Sequence, residues 1–457
     1  MSQVSAVILA AGQGKRMRSV HPKVLHKVGG KPMLLHVMDA ARKAGVEEQI
    51  VVIGHGRETL LEILPELNYV VQEQQLGTGH AVFQAREAVG EGVERVLVLC
   101  GDTPLLTAST LKNLIEHHEK TESAATILTA EMDNPRGYGR IIRSDGGSVE
   151  KIVEHKDASP EELLVKEINS GTYIFQKTDL YAALDKLTPD NAQGEYYLTD
   201  VISVFFRQGK KVSAFKAEDT REVQGINDRV QLAEAEEIFR SRKNRELMLS
   251  GVTLIDPATT YIDADVKIGQ DTVILPHTII QGNSIIGSHC LVGPSCRLED
   301  CVLGDNCVVQ YSVLVESKFG QGCKIGPFAY VRPGSDLGDN VKIGDFVEVK
   351  KSTIGTGSKV PHLTYLGDSE VGAGVNVGAG TITCNYDGEK KYKTIISDNV
   401  FVGSNSNLVA PLEIGKDAYI AAGSTITENV PEGALAIARE RQTTKEGWVA
   451  KKGKKKK

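Results

Sequence analysis

Short apolar runs alternate with amphipathic segments over the first half of the chain. The apolar runs predict β-strands at residues 4–10, 49–53, 69–71 and 95–100. The amphipathic segments predict α-helices at residues 32–44 and 79–89. Strands separated by helices favour a mostly parallel, doubly wound α/β sheet of the Rossmann-like type, which binds ligands at the carboxyl ends of its strands.

The periodicity changes near residue 251. Residues 227–251 are rich in Glu, Arg and Leu and contain no Pro, which predicts one long helix. Beyond Asp256, an aliphatic residue followed by Gly recurs, often six residues or a multiple of six apart, at Ile268-Gly269, Ile286-Gly287, Val292-Gly293, Ile325-Gly326, Leu337-Gly338, Ile343-Gly344, Val371-Gly372, Val377-Gly378, Val402-Gly403 and Ile414-Gly415. This period places one inward aliphatic residue on each short strand and one glycine at each corner, which predicts a parallel β-helix.

The repeat slips between Val377 and Val402, where polar, aromatic and basic residues occupy positions 381–393. An insertion on a solenoid is typical of a functional loop. We therefore predict an α/β domain at residues 1–227, a linker helix at 228–250, a β-helix domain at 251–437 and a C-terminal tail at 438–457 with a basic end. The repeat resembles that of left-handed β-helix proteins, which are commonly trimers with active sites between subunits; a prism used for oligomerisation alone is the alternative.

The composition is that of a folded globular protein, since 25% of the 457 residues are charged and 41% are hydrophobic. The net charge of −6 disfavours a non-specific nucleic-acid binder. No apolar stretch approaches the ~20 residues of a membrane-spanning helix, and the start of the chain lacks the pattern of a cleavable signal. We expect a cytoplasmic protein without membrane or nucleic-acid partners.

The cysteines cluster in the second half, but none of them forms a CxxC pair, which disfavours zinc. Two of the gaps between them are six residues long and match the repeat. We expect buried structural thiols at Cys290, Cys296, Cys301, Cys307 and Cys323.

A glycine-rich turn follows the first predicted strand, and residues 11–17 (AGQGKRM) are followed by Pro22-Lys23. Backbone N–H groups in such a turn can bind phosphates. No GK[ST] follows at Walker A spacing, and Met17 takes the third glycine position of GxGxxG, so both of those nucleotide motifs are excluded. A tight turn with Arg16 and Lys23 in solvent is the structural alternative. As a whole, the segment resembles the signature of sugar-1-phosphate nucleotidylyltransferases.

Polar residues also follow the later strands. Gln72 can both donate to and accept from the imide edge of a base, and the small residues Gly77 and Thr78 suit a ribose. Asp102 follows the strand that ends at Cys100, where a metal-bound triphosphate would lie. A helix cap or a turn-forming residue is the alternative for Asp102 and for Asn227. One carboxylate and one amide oxygen suffice for Mg²⁺, because waters and substrate phosphates complete its shell.

With residues 137–139 (GYG), 153–157 (VEHKD), 168–171 (INSG) and 194–200 (GEYYLTD), the first half resembles the uridylyltransferase domain of the bacterial bifunctional N-acetylglucosamine-1-phosphate uridylyltransferases/glucosamine-1-phosphate acetyltransferases. The resemblance extends from Ser5 to about Trp448. It implies that the uridine nucleotide contacts Leu9, Ala10, Ala11, Gly12, Lys23, Gln72, Gly77, Thr78 and Asn227. It also implies that Gly139, Glu154 and Asn169 hold the amino sugar, and that Asp102 and Asn227 bind Mg²⁺. Cys100 departs from the family motif, in which some members carry Tyr.

The implied reaction is in-line attack of a sugar phosphate oxygen on the α-phosphorus of UTP, with pyrophosphate leaving. The nucleophile is already an anion, so no general base is required. Arg16, Lys23 and Mg²⁺ would then neutralise the growing negative charge.

In the second half, His362 interrupts the apolar phase of the repeat, and an imidazole suits proton removal near neutral pH. A surface or structural histidine is the alternative. The insertion supplies Asn385, Tyr386 and Lys391, and the preceding coils supply cationic side chains that suit a sugar phosphate. Residues 362–368 (HLTYLGD) with 376–388 (NVGAGTITCNYDG) resemble the acetyltransferase half of the same family.

By that resemblance, His362 takes a proton from the 2-amino group of glucosamine-1-phosphate as this group attacks the thioester of acetyl-CoA, and Glu348 or Asn385 orients the imidazole. The glucosamine phosphate is held by Arg332, Lys350, Tyr365, Asn376 and Lys391. Acetyl-CoA is held by Ala379, Asn385, Tyr386, Ser404, Ala422 and Arg439. The N-acetylglucosamine-1-phosphate formed would then be coupled to UTP, giving UDP-N-acetylglucosamine, a cell-envelope precursor, and the enzyme would be a homotrimer through its β-helix.

Two other functions are weighed. A single-activity nucleotidylyltransferase of the ADP-glucose or GDP-mannose type would have a regulatory β-helix, and residues 362–368 and the NYDG segment argue against it. A non-catalytic scaffold would only bind, and the intact Arg16, Lys23, Asp102 and His362 argue against that.

Overall fold

The computed structural model describes residues 3–452, so the last residues of the basic end, 453–457, lie outside the described chain. Contacts divide the chain into two compact units, Met1–Arg240 and Ser241–Lys457. The long helix predicted from composition is present as Arg229–Leu249.

The strands described in the first unit are β1 Gln3–Ala10, β2 Lys27–Val28, β3 Lys31–Pro32, β4 Glu48–Ile53, β5 Tyr69–Val71, β6 Val93–Cys100, β7 Ala125–Glu131, β8 Arg140–Arg143, β9 Val149–Val153, β10 Glu167–Gln176 and β11 Val212–Lys216. The unit is built on a mixed sheet with the order β11-β7-β10-β6-β1-β4-β5, in which β8 also pairs with β10 and β9 pairs with β8. Strands β2 and β3 pair with each other in a separate sheet. The helices of the described chain are α1 Met33–Lys43, α2 Arg57–Ile63, α3 Thr78–Gln84, α4 Ala108–Thr121, α5 Lys177–Leu184, α6 Asp200–Arg207, α7 Arg229–Leu249 and α8 Trp448–Lys451.

The predicted parallel sheet is confirmed for its central part, where β1 pairs in parallel with β4 and β6. Its strands are buried apolar runs because helices cover both faces. Strand β10 differs, since it runs antiparallel between β6 and β7. It follows the β8–β9 hairpin instead of a crossover helix, and an antiparallel partner needs no crossover. Helix α3 ends earlier than predicted, because several backbone N–H groups after Gln84 donate to the carbonyl oxygen three residues earlier, as in a 3₁₀-helix, instead of four residues earlier.

The second unit is a parallel β-helix with three walls, which confirms the predicted class of fold. Wall 1 contains Thr253–Leu254, Val273–Ile274, Leu291–Val292, Val308–Val309, Lys324–Ile325, Lys342–Asp345, Lys359–His362, Asn376–Val377, Phe401–Val402, Tyr419–Ile420 and Leu435–Ala436. Wall 2 contains Tyr261–Ile262, Ile279–Gln281, Arg297–Glu299, Val313–Val315, Tyr330–Val331, Glu348–Lys350, Tyr365–Gly367, Ile382–Cys384, Asn407–Val409 and Thr425–Ile426. Wall 3 contains Lys267–Ile268, Ile285–Ile286, Val302–Leu303, Ser317–Phe319, Ser335–Leu337, Thr353–Ile354, Ser369–Val371, Thr394–Ile396 and Leu412–Ile414.

Most of the short strands point one aliphatic side chain into the prism, where it is buried, as the hexapeptide pattern predicts. Phe319 and Thr383 take this place on two of the strands. The five clustered cysteines are also buried and free, which confirms them as part of this core. The predicted insertion is visible in the register of wall 1, where Lys359 pairs with Asn376 but Asn376 pairs with Phe401, 25 positions further on.

The glycines after the aliphatic residues allow neighbouring coils to touch through their main chains. A Cβ added to Gly287 would lie 2.6 Å from the carbonyl carbon of Gly304, and one added to Gly304 would lie 2.7 Å from the nitrogen of Gln321. A Cβ added to Gly338 would lie 2.9 Å from the nitrogen of Thr356. These corner glycines are therefore required by the backbone of the next coil.

A buried histidine makes the first unit sensitive to acid. His118 on α4 is fully buried, and its Nδ1 lies 2.9 Å from Thr126 Oγ1. Burial lowers the pKa of His118 from 6.5 to about 4, so the unfolded chain binds a proton more readily than the folded unit. The resulting stabilisation is complete above pH 6.5, and we expect about 3 kcal/mol of it to be lost as the pH falls to 4.

The urea midpoint of this unit, followed by pulse proteolysis between pH 7 and pH 4.5, measures that loss. His118→Gln lacks the titrating group, so we expect a smaller dependence of its midpoint on pH. Equal pH dependence in both proteins would contradict the assignment.

Candidate active sites

A cavity of about 500 Å³ opens at the carboxyl ends of β1 and β6 in the first unit. The sequence-predicted residues that line it are Leu9, Ala10, Ala11, Gly12, Lys23, Gln72, Gly77, Thr78 and Asp102. Parallel strands end at one edge of the sheet, and this edge gathers residues that are far apart in the sequence. The cavity is large enough for a nucleotide-sized ligand.

The glycine-rich turn forms one side of this cavity. Gly14 has φ 59°, a left-handed conformation that favours glycine, and a Cβ added there would lie 2.7 Å from Lys23 Cβ. The turn therefore packs directly against Lys23. Lys15 and Gln13 of the same segment also line the cavity, although the sequence analysis assigned no role to either. Arg16 is exposed on the same turn and is not among the lining residues of the described chain.

Lys23, Asp102 and Asn227 form one charged cluster at the edge of the cavity. Lys23 Nζ forms a salt bridge with Asp102 Oδ2 and donates a hydrogen bond to Asn227 Oδ1 at 3.1 Å. The helix-cap alternative for Asp102 is wrong, because Thr107 caps α4 by accepting a hydrogen bond from the Thr110 amide at 3.2 Å. The Asp102 carboxylate and the Asn227 amide oxygen thus converge on a single cation position, which the Lys23 ammonium holds.

The opposite side of the cavity is fixed by close contacts of the main chain. Gly77 has φ 114°, and a Cβ added there would lie 2.5 Å from the carbonyl oxygen of Tyr196. Gln72 donates from Nε2 to the carbonyl oxygen of Gly77 at 3.1 Å. Thr78 Oγ1 accepts a hydrogen bond from the Leu198 amide at 3.0 Å. The Gly77-Thr78 segment can therefore approach a ligand with its backbone.

The three predicted sugar-binding residues lie together. The backbone N–H of Asn169 donates to the carbonyl oxygen of Gly139 at 2.9 Å, and a Cβ added to Gly139 would lie 3.5 Å from Glu154 Oε1. Burial raises the pKa of Glu154, and the neighbouring carboxylates of Asp157 and Asp200 add to this shift. The half-buried Glu154 carboxylate can accept hydrogen bonds from the hydroxyl groups of a sugar.

Cys100 lines the cavity, and its charged neighbours are Asp102 and Lys23 on one side and Glu154 of the predicted sugar-binding group on the other. Its Sγ is 3.4 Å from the carbonyl oxygen of Gly171, and burial raises the pKa of its thiol to about 12. The thiol therefore stays protonated, and Cys100 fills space at the strand end as a neutral side chain.

In the second unit, His362 ends a strand of wall 1 and is paired with a residue that the sequence analysis missed. Its Nδ1 lies 2.5 Å from Asp345 Oδ1. The expectation that Glu348 or Asn385 orients the imidazole is wrong, because Glu348 Oε1 binds Arg332 at 2.8 Å and Asn385 Nδ2 donates to Asp368 Oδ2 at 2.5 Å. Coil spacing is the signal that could have identified Asp345, since it precedes His362 by 17 positions, one turn of this repeat.

Most of the predicted sugar-phosphate residues gather on wall 2 beside the insertion. Lys350 Nζ lies 3.8 Å from Asp368 Oδ2. The neighbouring Lys350 ammonium lowers the pKa of Lys391, because the two like charges lie close together. Tyr365 belongs to the same group, because a Cβ added to Gly367 would lie 2.6 Å from Tyr365 Cζ and 2.8 Å from Asn385 Nδ2. Two adjacent ammonium groups favour a bound anion such as phosphate.

The remaining predicted residues lie elsewhere on the prism. Asn376 is on wall 1, where its register neighbours are Lys359 and Phe401. Tyr386 is exposed on the insertion, and its hydroxyl donates to the carbonyl oxygen of Gly388. The residues predicted to bind acetyl-CoA include a column on successive coils at one corner, namely Ala379, Ser404, Ala422 and Arg439.

Two family models match this arrangement of units. Residues 5–229 match the nucleotidyl transferase family, and residues 265–300, 316–351 and 393–428 match the bacterial transferase hexapeptide family of six repeats. The bifunctional protein GlmU of Heliobacterium modesticaldum is 54% identical over 455 residues, which cover 99% of this chain and 99% of the relative. The bifunctional protein GlmU of Caldanaerobacter subterraneus subsp. tengcongensis is 58% identical over 457 residues, covering 100% and 99%.

The chain belongs to the GlmU family. This confirms the predicted family and the two kinds of transferase within one chain. As a GlmU-type protein, it combines a nucleotidyl transferase unit with hexapeptide repeats. None of the helices within residues 3–452 has the length and apolar character needed to cross a bilayer.

Proposed function

We propose that this chain makes UDP-N-acetylglucosamine in two reactions. The β-helix domain at 251–437 acetylates glucosamine-1-phosphate with acetyl-CoA, and the α/β domain at 1–227 then transfers UMP from UTP to N-acetylglucosamine-1-phosphate. The observation that carries this proposal is the pairing, in one GlmU-type chain, of a nucleotide-sized cavity at a strand edge with a histidine on the prism.

In the α/β domain, the glycine-rich turn and Lys23 bind the triphosphate of UTP, while Gln72 and the Gly77-Thr78 segment bind the nucleoside. Gly139, Glu154 and Asn169 hold the amino sugar phosphate so that its oxygen faces the α-phosphorus. Positive charge from Lys23 and from the turn that carries Lys15 and Arg16 stabilises the charge that develops as pyrophosphate leaves.

Oxygen donors are the ligands that Mg²⁺ prefers, and Asp102 and Asn227 supply two of them at one cation position. Asp102 and Asn227 would hold Mg²⁺ there, and the bound ion would supply positive charge against the triphosphate. The cluster has too few protein ligands to enclose the ion, so waters and UTP would complete its shell. For the ion to bind, Lys23 Nζ would have to leave this position, and it could then contact the phosphates of UTP.

In the β-helix domain, Lys350 and Lys391 bind the phosphate of glucosamine-1-phosphate, with Arg332 and Tyr365 beside them. His362 accepts a proton from the amino group as this group attacks the thioester carbonyl. The column of Ala379, Ser404, Ala422 and Arg439 holds acetyl-CoA along the corner of the prism, with Asn385 and Tyr386 from the insertion. Coenzyme A is the leaving group, and the acetamide remains on the sugar.

A split assay tests both activities and their order. Purified protein is given glucosamine-1-phosphate and acetyl-CoA, and free coenzyme A is separated by chromatography. UTP, Mg²⁺ and pyrophosphatase are then added, and phosphate is measured. Phosphate released only after acetylation is the expected result. Coenzyme A release without later phosphate would remove the uridylyl reaction, and phosphate from N-acetylglucosamine-1-phosphate without coenzyme A release would remove the acetyl reaction.

Substitution of Asn227 tests the proposed metal position. Asn227→Ala removes one neutral oxygen ligand, so we expect the Mg²⁺ concentration for half-maximal uridylyl transfer to rise about tenfold, with a smaller change in the rate at saturating Mg²⁺. Acetyl transfer by the same preparation serves as the control. An unchanged Mg²⁺ requirement would contradict Asn227 as a ligand.

We also propose that the chain assembles as a homotrimer through the β-helix. Tyr311, Phe328 and Phe346 lie next to one another on successive coils with ring centroids 5.7 and 5.4 Å apart, and they are 45%, 56% and 58% exposed. An exposed aromatic column of this kind favours a protein interface. A mass measured by light scattering that equals three chains would support the trimer, and a monomer mass would contradict it.

A further inference from the structure

The Asp345 carboxylate lies beside His362 because the backbone of wall 1 brings the two residues together. Asp345 ends the strand Lys342–Asp345, His362 ends the strand Lys359–His362, and the two residues are paired in the parallel register. Within the described β-helix, these are the only strands of four residues. Their extra length adds the register pair Asp345–His362, which places the carboxylate next to the imidazole.

The main chain leaves this pair little freedom to separate. A Cβ added to Gly344 would lie 1.8 Å from the carbonyl oxygen of Pro361, so the two strands touch immediately before the pair. Directly after it, the Leu363 amide donates to the carbonyl oxygen of Asp345 at 3.0 Å. The two side chains are therefore fixed between two backbone contacts.

The geometry decides which imidazole nitrogen carries the proton in neutral His362. A carboxylate accepts hydrogen bonds, so Nδ1, at 2.5 Å from Asp345 Oδ1, is the donor. Nε2 then carries the lone pair and can accept a proton from a substrate. The pKa of Asp345 is lowered chiefly by the hydrogen bond that its carboxylate accepts from His362, and the neighbouring Lys342 contributes to the same shift. The carboxylate therefore stays ionised at neutral pH.

Stability does not account for the pair. The side chains of His362 and Asp345 are 54% and 36% exposed, and ion pairs this exposed contribute little to folding. A second histidine on the same prism offers a comparison: His289 Nδ1 lies 4.0 Å from Asp271 Oδ2, which is beyond hydrogen-bond distance. Of these two pairs, the one at His362 has a distance short enough to select a tautomer.

We infer that Asp345 is the positioning residue that holds His362 with Nδ1 protonated and Nε2 free to act in acetyl transfer. This inference rests on the proposed role of His362 as the general base. Asp345 acts through the imidazole and need not touch the substrate. The arrangement repeats the logic of a carboxylate that orients a catalytic histidine.

Replacing Asp345 by Ala is the central test. We expect kcat for acetyl transfer to fall about 10- to 100-fold in Asp345→Ala, while KM for glucosamine-1-phosphate and for acetyl-CoA stays within about twofold, because the imidazole remains but loses its orientation. Uridylyl transfer should be unchanged. Asp271→Ala, which removes the carboxylate near His289, is the matched control and should leave both activities at the wild-type level.

A spectroscopic measurement separates positioning from a structural effect. In full-length protein labelled with ¹⁵N-histidine, the His362 resonances are assigned by their loss in His362→Ala. They should report protonated Nδ1 in the wild type and a mixture of tautomers in Asp345→Ala. An unchanged tautomer or an unchanged kcat would overturn the inference. If His362→Ala itself keeps its acetyl transfer, the proposed function of His362 fails, whatever Asp345 does.

Discussion

Replacing His362 by Ala is expected to lower acetyl transfer by about 10²- to 10⁴-fold, the range that a general base contributes. The alanine variant cannot take the proton from the attacking amino group, and Asp345 is left beside it without an imidazole to orient. The side chain is half exposed at a strand end, so its loss should not disturb the prism. Initial rates of coenzyme A release at saturating substrates measure the effect.

Two controls accompany this variant. Uridylyl transfer by the same preparation should equal that of the wild type, which excludes general misfolding. His289→Ala removes another exposed histidine from the β-helix and should retain acetyl transfer. If acetyl transfer survives in His362→Ala, the histidine is not the base, whereas loss of both activities would indicate a defect of the whole chain.

Replacing Lys23 by Ala is expected to lower uridylyl transfer by about 10²- to 10³-fold, because it removes a fixed positive charge from the site where negative charge develops. Lys23 also contacts both Asp102 and Asn227, so the variant loses the ammonium group that occupies the proposed Mg²⁺ position. Pyrophosphate release from UTP and N-acetylglucosamine-1-phosphate, measured over a range of Mg²⁺ concentrations, gives both kcat and the metal requirement.

The result for Lys23 can be distinguished from a general effect of charge. Lys43 is exposed in the last turn of α1, and Lys43→Ala removes the same charge away from the cavity. This control should keep the wild-type rate of uridylyl transfer, and acetyl transfer should be normal in both variants. A Lys23→Ala rate within threefold of the wild type would show that the turn and Mg²⁺ supply enough charge without it.

The sequence pattern was most informative where the period of burial was long and regular. The buried run that forms β1 was predicted at residues 4–10, and the strand is Gln3–Ala10. The repeat of aliphatic residue and glycine likewise predicted the β-helix and its insertion. The antiparallel direction of β10 was not predictable from its own residues, because direction depends on the hairpin that precedes it. Pattern gives the element, and the preceding connection gives its direction.

In the candidate sites, local motifs predicted single residues, whereas contacts between residues far apart in the sequence were not predicted. Glycine-rich motifs and strand ends predicted most residues around the cavity, since each lies at a recognisable place in its own element. The contact of Lys23 with Asn227 joins residues 204 positions apart, and no local pattern contains it. Asp345 was missed because its partner is on the next coil. Finding it requires the length of one coil, which the pattern around His362 does not give.

The corner glycines fix the distance between successive coils of the β-helix. Because Gly287, Gly304 and Gly338 face the main chain of the next coil, the distance between coils is set by backbone contact and cannot adjust to a larger side chain. We therefore expect positions that cannot accept a larger side chain to recur along this half of the chain at intervals of one coil. The same spacing keeps Asp345 level with His362, so the geometry of the proposed acetyl-transfer site depends on glycines that take no part in the proposed reaction.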